Sequence, residues 1–103
     1  MREGGGRLAG MLGLCARAGR LITGEKAVVQ AVRAKSALVA LLDSDAAPNA
    51  VKAVGQACQS HGVPLIRTQP FALGEAIGKP GRMAAVITDP RMAARAIELS
   101  AVE

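Results

Sequence analysis

Aromatic side chains are all but missing from this chain. Among its 103 residues Phe71 stands alone, with no Trp and no Tyr. Modules that hold single-stranded nucleic acid on stacked aromatic rings therefore lack their platforms here. Cysteine is nearly as scarce: Cys15 and Cys58 are too few and too far apart for a disulfide scaffold or a complete zinc site. Long apolar runs are absent too. The longest, Ala37–Leu42, is six residues, against roughly 20 for a bilayer span. Leu8–Leu14 is short, broken by glycines and followed by no convincing cleavage site, which argues against a signal peptide. The expectation is a soluble cytoplasmic domain with free thiols.

Charge, by contrast, is present in excess of one sign. Lys and Arg number 13 against 8 Asp and Glu, a net of +5. The excess sits in the first third: residues 1–35 hold seven basic and two acidic residues, the remainder six of each. Clustered positive charge raises the local potential and points toward a polyanionic partner. The plain alternative is a soluble surface with a basic end. Half the residues are apolar and a fifth charged, which is globular composition, and the length suits one domain. With aromatics scarce, recognition of RNA or DNA must rest on backbone amides, basic side chains and aliphatic contacts.

Residues 1–7, with three consecutive glycines, are expected as a flexible tail ahead of a single domain over residues 8–103. Apolar residues at 8, 11, 12, 15 and 18 follow helical spacing, and Gly19 ends that helix. Leu21-Ile22 suits a short strand. Thr23-Gly24 opens a second helix with a stripe of Val28, Val29 and Val32. Ala37–Leu42 reads as a strand buried on both faces. A turn follows, with Pro48 placed to start a helix carrying Ala50, Val51, Val54, Ala57 and Cys58 and stopped by Gly62. Val63–Arg67 is the third strand. Pro70 starts a helix carrying Phe71, Leu73, Ala76 and Ile77, and Gly78-Lys79-Pro80-Gly81 must be a loop. Met83–Ile87 is a buried strand, and Pro90 starts a last helix with Met92, Ala93, Ala96 and Ile97 inward. Helices between successive strands imply crossovers and a sheet covered on both sides. The fold class is α/β, a three-layer α/β/α sandwich around a largely four-stranded mixed sheet.

Most catalytic constellations fail. Gly74 and Gly78 before Lys79 are one residue too close for a P-loop, and Pro80 replaces the hydroxyl that would bind magnesium. No G-x-G-x-x-G follows a strand, so dinucleotide binding lacks its fingerprint. His61, the only histidine, reads as a helix C-terminal residue rather than a base. Asp43 and Asp45 flank Ser44 and read as a turn that satisfies backbone amides rather than a metal site. Cys15 and Cys58 fall on apolar helix faces, where thiols are buried and inert. No nucleophile, base and orienting group assemble, so the chain is read as no enzyme, with no metal and no cofactor.

Two glycine-basic segments remain. In the first, Gly19-Arg20-Leu21-Ile22-Thr23-Gly24-Glu25-Lys26, a strand runs into a helix start. Free N–H groups around Thr23–Lys26 and the positive end of the helix dipole make an anion site there. Arg20 and Lys26 add charge, and Gly24 admits close approach to the backbone. The simpler reading is a strand end, a capped helix and a solvated lysine. The second segment, Gly78-Lys79-Pro80-Gly81-Arg82, is a basic loop before a strand, and its simpler reading is a surface connection.

Taken in order, Thr23-Gly24-Glu25-Lys26, Leu38–Leu42 with Asp43-Ser44-Asp45, Val63-Pro64-Leu65 and Leu73-Gly74-Glu75-Ala76-Ile77-Gly78-Lys79 resemble the L-seven-Ae / L-thirty-e ribosomal-protein superfamily, in particular its small bacterial YlxQ-type branch. The resemblance covers about residues 8–98. Its most specific part is L-G-x-A-x-G-K at its proper distance from the G-x-K helix start. It implies an α/β/α sandwich that binds kink-turn or related bent RNA. Carried over by position, the helix start entering the RNA groove is Gly24, Glu25, Lys26, Ala27 and Gln30. The loop covering bulged nucleotides is Ile77, Gly78, Lys79, Pro80, Gly81, Arg82 and Met83. The archaeal-type signature G-x-N-E-x-x-K has Asn, Glu and Lys where this chain has Lys26, Ala27 and Gln30. Two base-reading side chains are thereby replaced, and lysine is the less selective reader.

The expected function is noncatalytic binding of structured RNA, ribosomal RNA among the candidates, by a ribosomal-protein-like factor. The RNA-binding set is Arg20, Thr23, Gly24, Glu25, Lys26, Gln30, Ile77, Gly78, Lys79, Pro80, Arg82 and Met83. No membrane partner is expected, and nothing demands more than a monomer. Two rivals stand beside it: a small nucleotide-binding domain, which requires a closed pocket near the helix start, and a protein-interaction module using the Ala-rich helices.

Overall fold

A computed structural model describes residues 3–102, with side-chain surroundings for residues 6–101. Nine elements alternate along these residues: α1 (Glu3–Arg17), β1 (Leu21–Thr23), α2 (Glu25–Arg33), β2 (Val39–Asp43), α3 (Pro48–His61), β3 (Leu65–Thr68), α4 (Ala72–Ile77), β4 (Ala84–Ile87) and α5 (Pro90–Val102). The sheet order is β1-β4-β2-β3. β4 pairs antiparallel with β1 and β2, while β2 and β3 are parallel. β1, β2 and β3 therefore share one direction and β4 opposes them, so three strand ends and the start of β4 meet at one end of the sheet. We call this the site end.

The two central strands make the layers. In β2, Val39 and Leu41 face one cluster with Leu12, Cys15, Leu73 and Ala96, from α1, α4 and α5. Ala40 and Leu42 face the other, with Val28, Val32, Val54 and Cys58 from α2 and α3. β4 splits the same way, Ala85 and Ile87 against Ala84 and Val86. The two-residue period of a strand thus feeds two cores. Removing the side chain of fully buried Leu41 or Leu42 would cost about 2–5 kcal/mol, because the rigid layers cannot close the cavity.

Several boundaries and helix facings differ from the sequence reading. β2 begins two residues after Ala37 and ends one residue after Leu42, on Asp43, whose charge disguises a ladder position. Val63 lies outside β3 because its N–H donates to the Cys58 carbonyl at 2.9 Å, finishing α3. Helix α1 begins at Glu3, so residues 3–7, expected in the tail, continue the helix through glycines that carry no apolar stripe to announce it. Met1 and Arg2 lie outside the described residues. In α5 Met92, Ala93, Ala96 and Leu99 face inward, whereas Ile97 is exposed. In α4, Phe71 is not part of the helix: it precedes it and stands exposed.

Candidate nucleic-acid interface

At the site end, β1 hands over to α2 through Gly24. Its φ of 100° lies where only glycine is comfortable, and its N–H donates to the Ala84 carbonyl at 3.0 Å. A Cβ built on Gly24 would stand 2.7 Å from Nη1 of Arg82. The Arg82 guanidinium therefore lies against the backbone of the helix start, and the two basic segments form one surface. No side chain caps α2, which leaves first-turn N–H groups and the positive dipole end available beside that guanidinium. Thr23 ends β1 opposite Ala85, and Glu25 is exposed in the first turn. Lys26 and Gln30 are exposed one turn apart and Arg33 nearly another, so they line one side of α2.

The loop after α4 is held by backbone. Gly78, at φ 73°, closes the helix: its N–H donates to the Glu75 carbonyl (3.3 Å) and the Lys79 N–H to the Gly74 carbonyl (2.9 Å), a Schellman ending. Residues 79–81 then fold back on Gly74. A Cβ there would meet Lys79 O at 2.9 Å, Gly81 N at 3.1 Å and Pro80 Cα at 3.2 Å. These are backbone atoms that cannot swing away, so Gly74 fixes where Lys79, Pro80 and Arg82 are presented. All three are exposed, and Met83 is half-buried. Among the described residues the one ion pair is Arg95–Glu98 on α5. The basic groups at the site end have no carboxylate partner there.

Beneath the loop sits Asp43, fully buried. Oδ1 accepts from the N–H groups of Asp45 and Phe71, both at 2.9 Å. Oδ2 accepts from the Leu73 N–H at 3.2 Å and the Thr68 hydroxyl at 3.1 Å. Burial pushes its carboxyl pKa up, but the donors from Asp45, Phe71, Leu73 and Thr68 together outweigh burial and hold it below the ordinary carboxylate value. With both oxygens so occupied, Asp43 is a structural anion tying β2, β3 and α4 together. No group of three or more potential metal ligands forms among the described residues.

Two expected site residues are not brought to this surface. Arg20 lies at the opposite end of β1, its carbonyl accepting from the Thr88 N–H at 3.1 Å, because even a three-residue strand spans about 10 Å. Ile77 is 8 % exposed and packs in the α1–α4–α5 core, since its position on a short helix faces the sheet. Conversely, the sequence reading did not single out Gly74, Asp43 or Phe71 as site residues. A glycine inside a helix and an aspartate closing an apolar strand were the available signals. Cys15 and Cys58 lie in separate cores on opposite sides of the sheet. Burial raises both thiol pKa values, with the Asp89 charge adding to the effect at Cys15. His61 closes α3, with Nδ1 3.1 Å from the Ala57 carbonyl. An open hollow of about 310 Å³ between Val32, Lys35, Leu38 and His61 lies at the far end, away from the helix start.

A three-layer sandwich with a glycine-opened helix start and a glycine-lysine loop at one sheet end defines a small ribosomal-protein-like class. The chain belongs to the Ribosomal protein L7Ae/L30e/S12e/Gadd45 family, whose model matches residues 7–97. It is 36 % identical over 90 residues to the RNA-binding protein YlxQ of Bacillus subtilis, covering 86 % of this chain and 90 % of that one. Among solved structures, a protein of unknown function from Bacillus halodurans superposes with a TM-score of 0.88 at 32 % identity, covering 92 % of this chain and 97 % of that one. The Giardia lamblia 15.5kD RNA binding protein shares the fold, with a TM-score of 0.77 at 20 % identity over 99 % of this chain and 88 % of that one. Among the described residues no helix is long and apolar enough to cross a membrane.

Proposed function

We propose that the chain is a noncatalytic RNA-binding protein that grips a kink-turn or related internal loop at the site end. The observation that carries this reading is the contact of Arg82 with Gly24, which joins an uncapped helix start to a rigid basic loop. An extended polyanion can engage both at once, whereas a single phosphate needs only one. The name of the Bacillus subtilis relative, an RNA-binding protein, supports the same reading.

In this arrangement the Glu25 and Lys26 amides hold the RNA backbone at the dipole's positive end, the Gly24 N–H being taken by the Ala84 carbonyl. Lys26 reaches a guanine edge or a phosphate, with Gln30 further along the groove. Pro80 and Met83 give apolar contact, while Lys79 and Arg82 neutralise phosphates. The test is a gel-shift titration of a synthetic kink-turn RNA and a straight duplex at two salt concentrations. The kink-turn is expected to bind more tightly at both. Equal affinities would remove the selectivity, and no binding to either would remove the RNA reading.

A further inference from the structure

Phe71 is the chain's only aromatic residue and, at 58 %, the most exposed of its large apolar side chains. It belongs to neither core cluster. Its backbone is left-handed, with φ 63°, a conformation natural to glycine or asparagine and rare for phenylalanine. The fold nevertheless holds it there. Its N–H donates to Oδ1 of Asp43 at 2.9 Å, and its carbonyl accepts from the Glu75 N–H at 3.3 Å. Asp43 is itself fixed by Thr68, Asp45 and Leu73. A buried carboxylate thus clamps the backbone directly beneath an outward-facing ring.

The Phe71 backbone lies near the basic loop. Gly74 lies one helical turn beyond Phe71, and the backbone of residues 79–81 rests on Gly74. The Phe71 backbone is therefore on the order of 10 Å from Pro80. Of the other exposed large apolar residues, Leu38 and Leu65 precede or begin strands at the far end, away from it. A protein partner's hot spot needs a contiguous, desolvated apolar area. One exposed ring on a fixed backbone, with unpaired lysine and arginine on the neighbouring loop, suits a nucleobase, whose face stacks and whose phosphates meet the cations.

The geometry points to Phe71 as a stacking platform for an unpaired nucleobase of the bound RNA, an inference that rests on the RNA reading above. Because the backbone is already fixed, stacking immobilises little besides the base. Sequence preference at that nucleotide is weak, since every base offers a π-face.

The test uses Phe71→Gly and Phe71→Trp with a synthetic kink-turn RNA carrying 2-aminopurine at its looped-out position. Glycine suits the φ of 63°, so Phe71→Gly is expected to melt at or above the wild-type temperature. Its affinity should fall about 5- to 150-fold, with the salt dependence unchanged because no charge is lost. Phe71→Trp retains affinity, and its tryptophan, the only one in that variant, is quenched when RNA binds. Wild-type affinity in Phe71→Gly, alongside weakened binding by Lys79→Ala, would overturn the platform and leave the RNA reading standing. The same follows if Phe71→Gly weakens binding but the tryptophan emission ignores the RNA. Failure of the wild-type protein to bind the RNA at all overturns both.

Discussion

The two ends of the sheet are made of similar residues put to opposite uses. At the far end α1, α2 and α3 finish, each in a Schellman turn, on Gly19, Lys35 and Gly62. Arg17 and Arg33 sit in last turns there, where a cation complements the negative dipole end. At the site end α2 and α3 begin, and Lys26, Arg82 and Lys79 gather beside a positive terminus that a cation destabilises. Charge at the far end stabilises the fold, whereas the cations at the site end oppose it and Glu25 in the first turn of α2 offsets them only in part. Such an arrangement makes sense when an external anion completes it.

Mutations that separate stability from binding break or sharpen this contrast. The largest effect is expected at Asp43, on which both rest. Asp43→Ala strands three N–H groups, that of Leu73 buried, and the Thr68 hydroxyl, and should cost about 3–5 kcal/mol in urea unfolding. Because the folded-state pKa of Asp43 lies below its ordinary 3.8, its contribution is full above that value and lost as pH falls through the folded pKa. Stability of the wild type should therefore decline below about pH 4, while Asp43→Asn, if it folds, lacks that component. Gly74→Ala comes next: overpacking against the 79–81 backbone should cost about 1–3 kcal/mol and also weaken RNA binding by displacing the loop.

Smaller effects divide cleanly between the ends. Lys79→Ala or Arg82→Ala should leave urea stability within about 0.5 kcal/mol. Each should weaken every RNA similarly and lower the salt slope by about one unit. Lys26→Ala should slightly raise stability, by about 0.3–1 kcal/mol, while narrowing the gap between kink-turn and duplex. At the far end, Lys35→Gly relieves a left-handed lysine, φ 63°. A gain of up to about 1 kcal/mol with unchanged RNA affinity is expected. RNA affinity that responded to Lys35 and ignored Lys79 would reverse the assignment of the two ends.

The element order, the double-faced β2, Pro48 at a helix start and Gly19 and Gly62 at helix ends were all readable from the sequence. Each is written in local periodicity or in a residue with one backbone habit. Illegible features depend on partners distant in the chain. Asp43 looks like a turn residue until Thr68, Phe71 and Leu73 supply its donors. Ile77 looks available until the sheet covers it, and Arg20 and Gly24 look adjacent until a strand separates them. Phe71 was misplaced for a related reason: hydrophobicity assigned it to an apolar helix face, whereas its backbone conformation, invisible in composition, turns it outward. The Arg82–Gly24 contact joins segments whose closeness only the β1–β4 pairing creates.

That pairing has a consequence for biosynthesis. β4 is the last strand made, yet it sits between β1 and β2. A growing chain carrying β1, β2 and β3 still has a gap at the middle of its sheet. Long-range strand pairing of this kind is slow to form and follows local helix formation. Arg82 also reaches Gly24 only when β4 docks, so the proposed RNA grip and the completed sheet arise in one event. A partly synthesised chain displays the early cluster of positive charge but not the paired surface, so on the proposed reading selective RNA capture waits until the domain has closed.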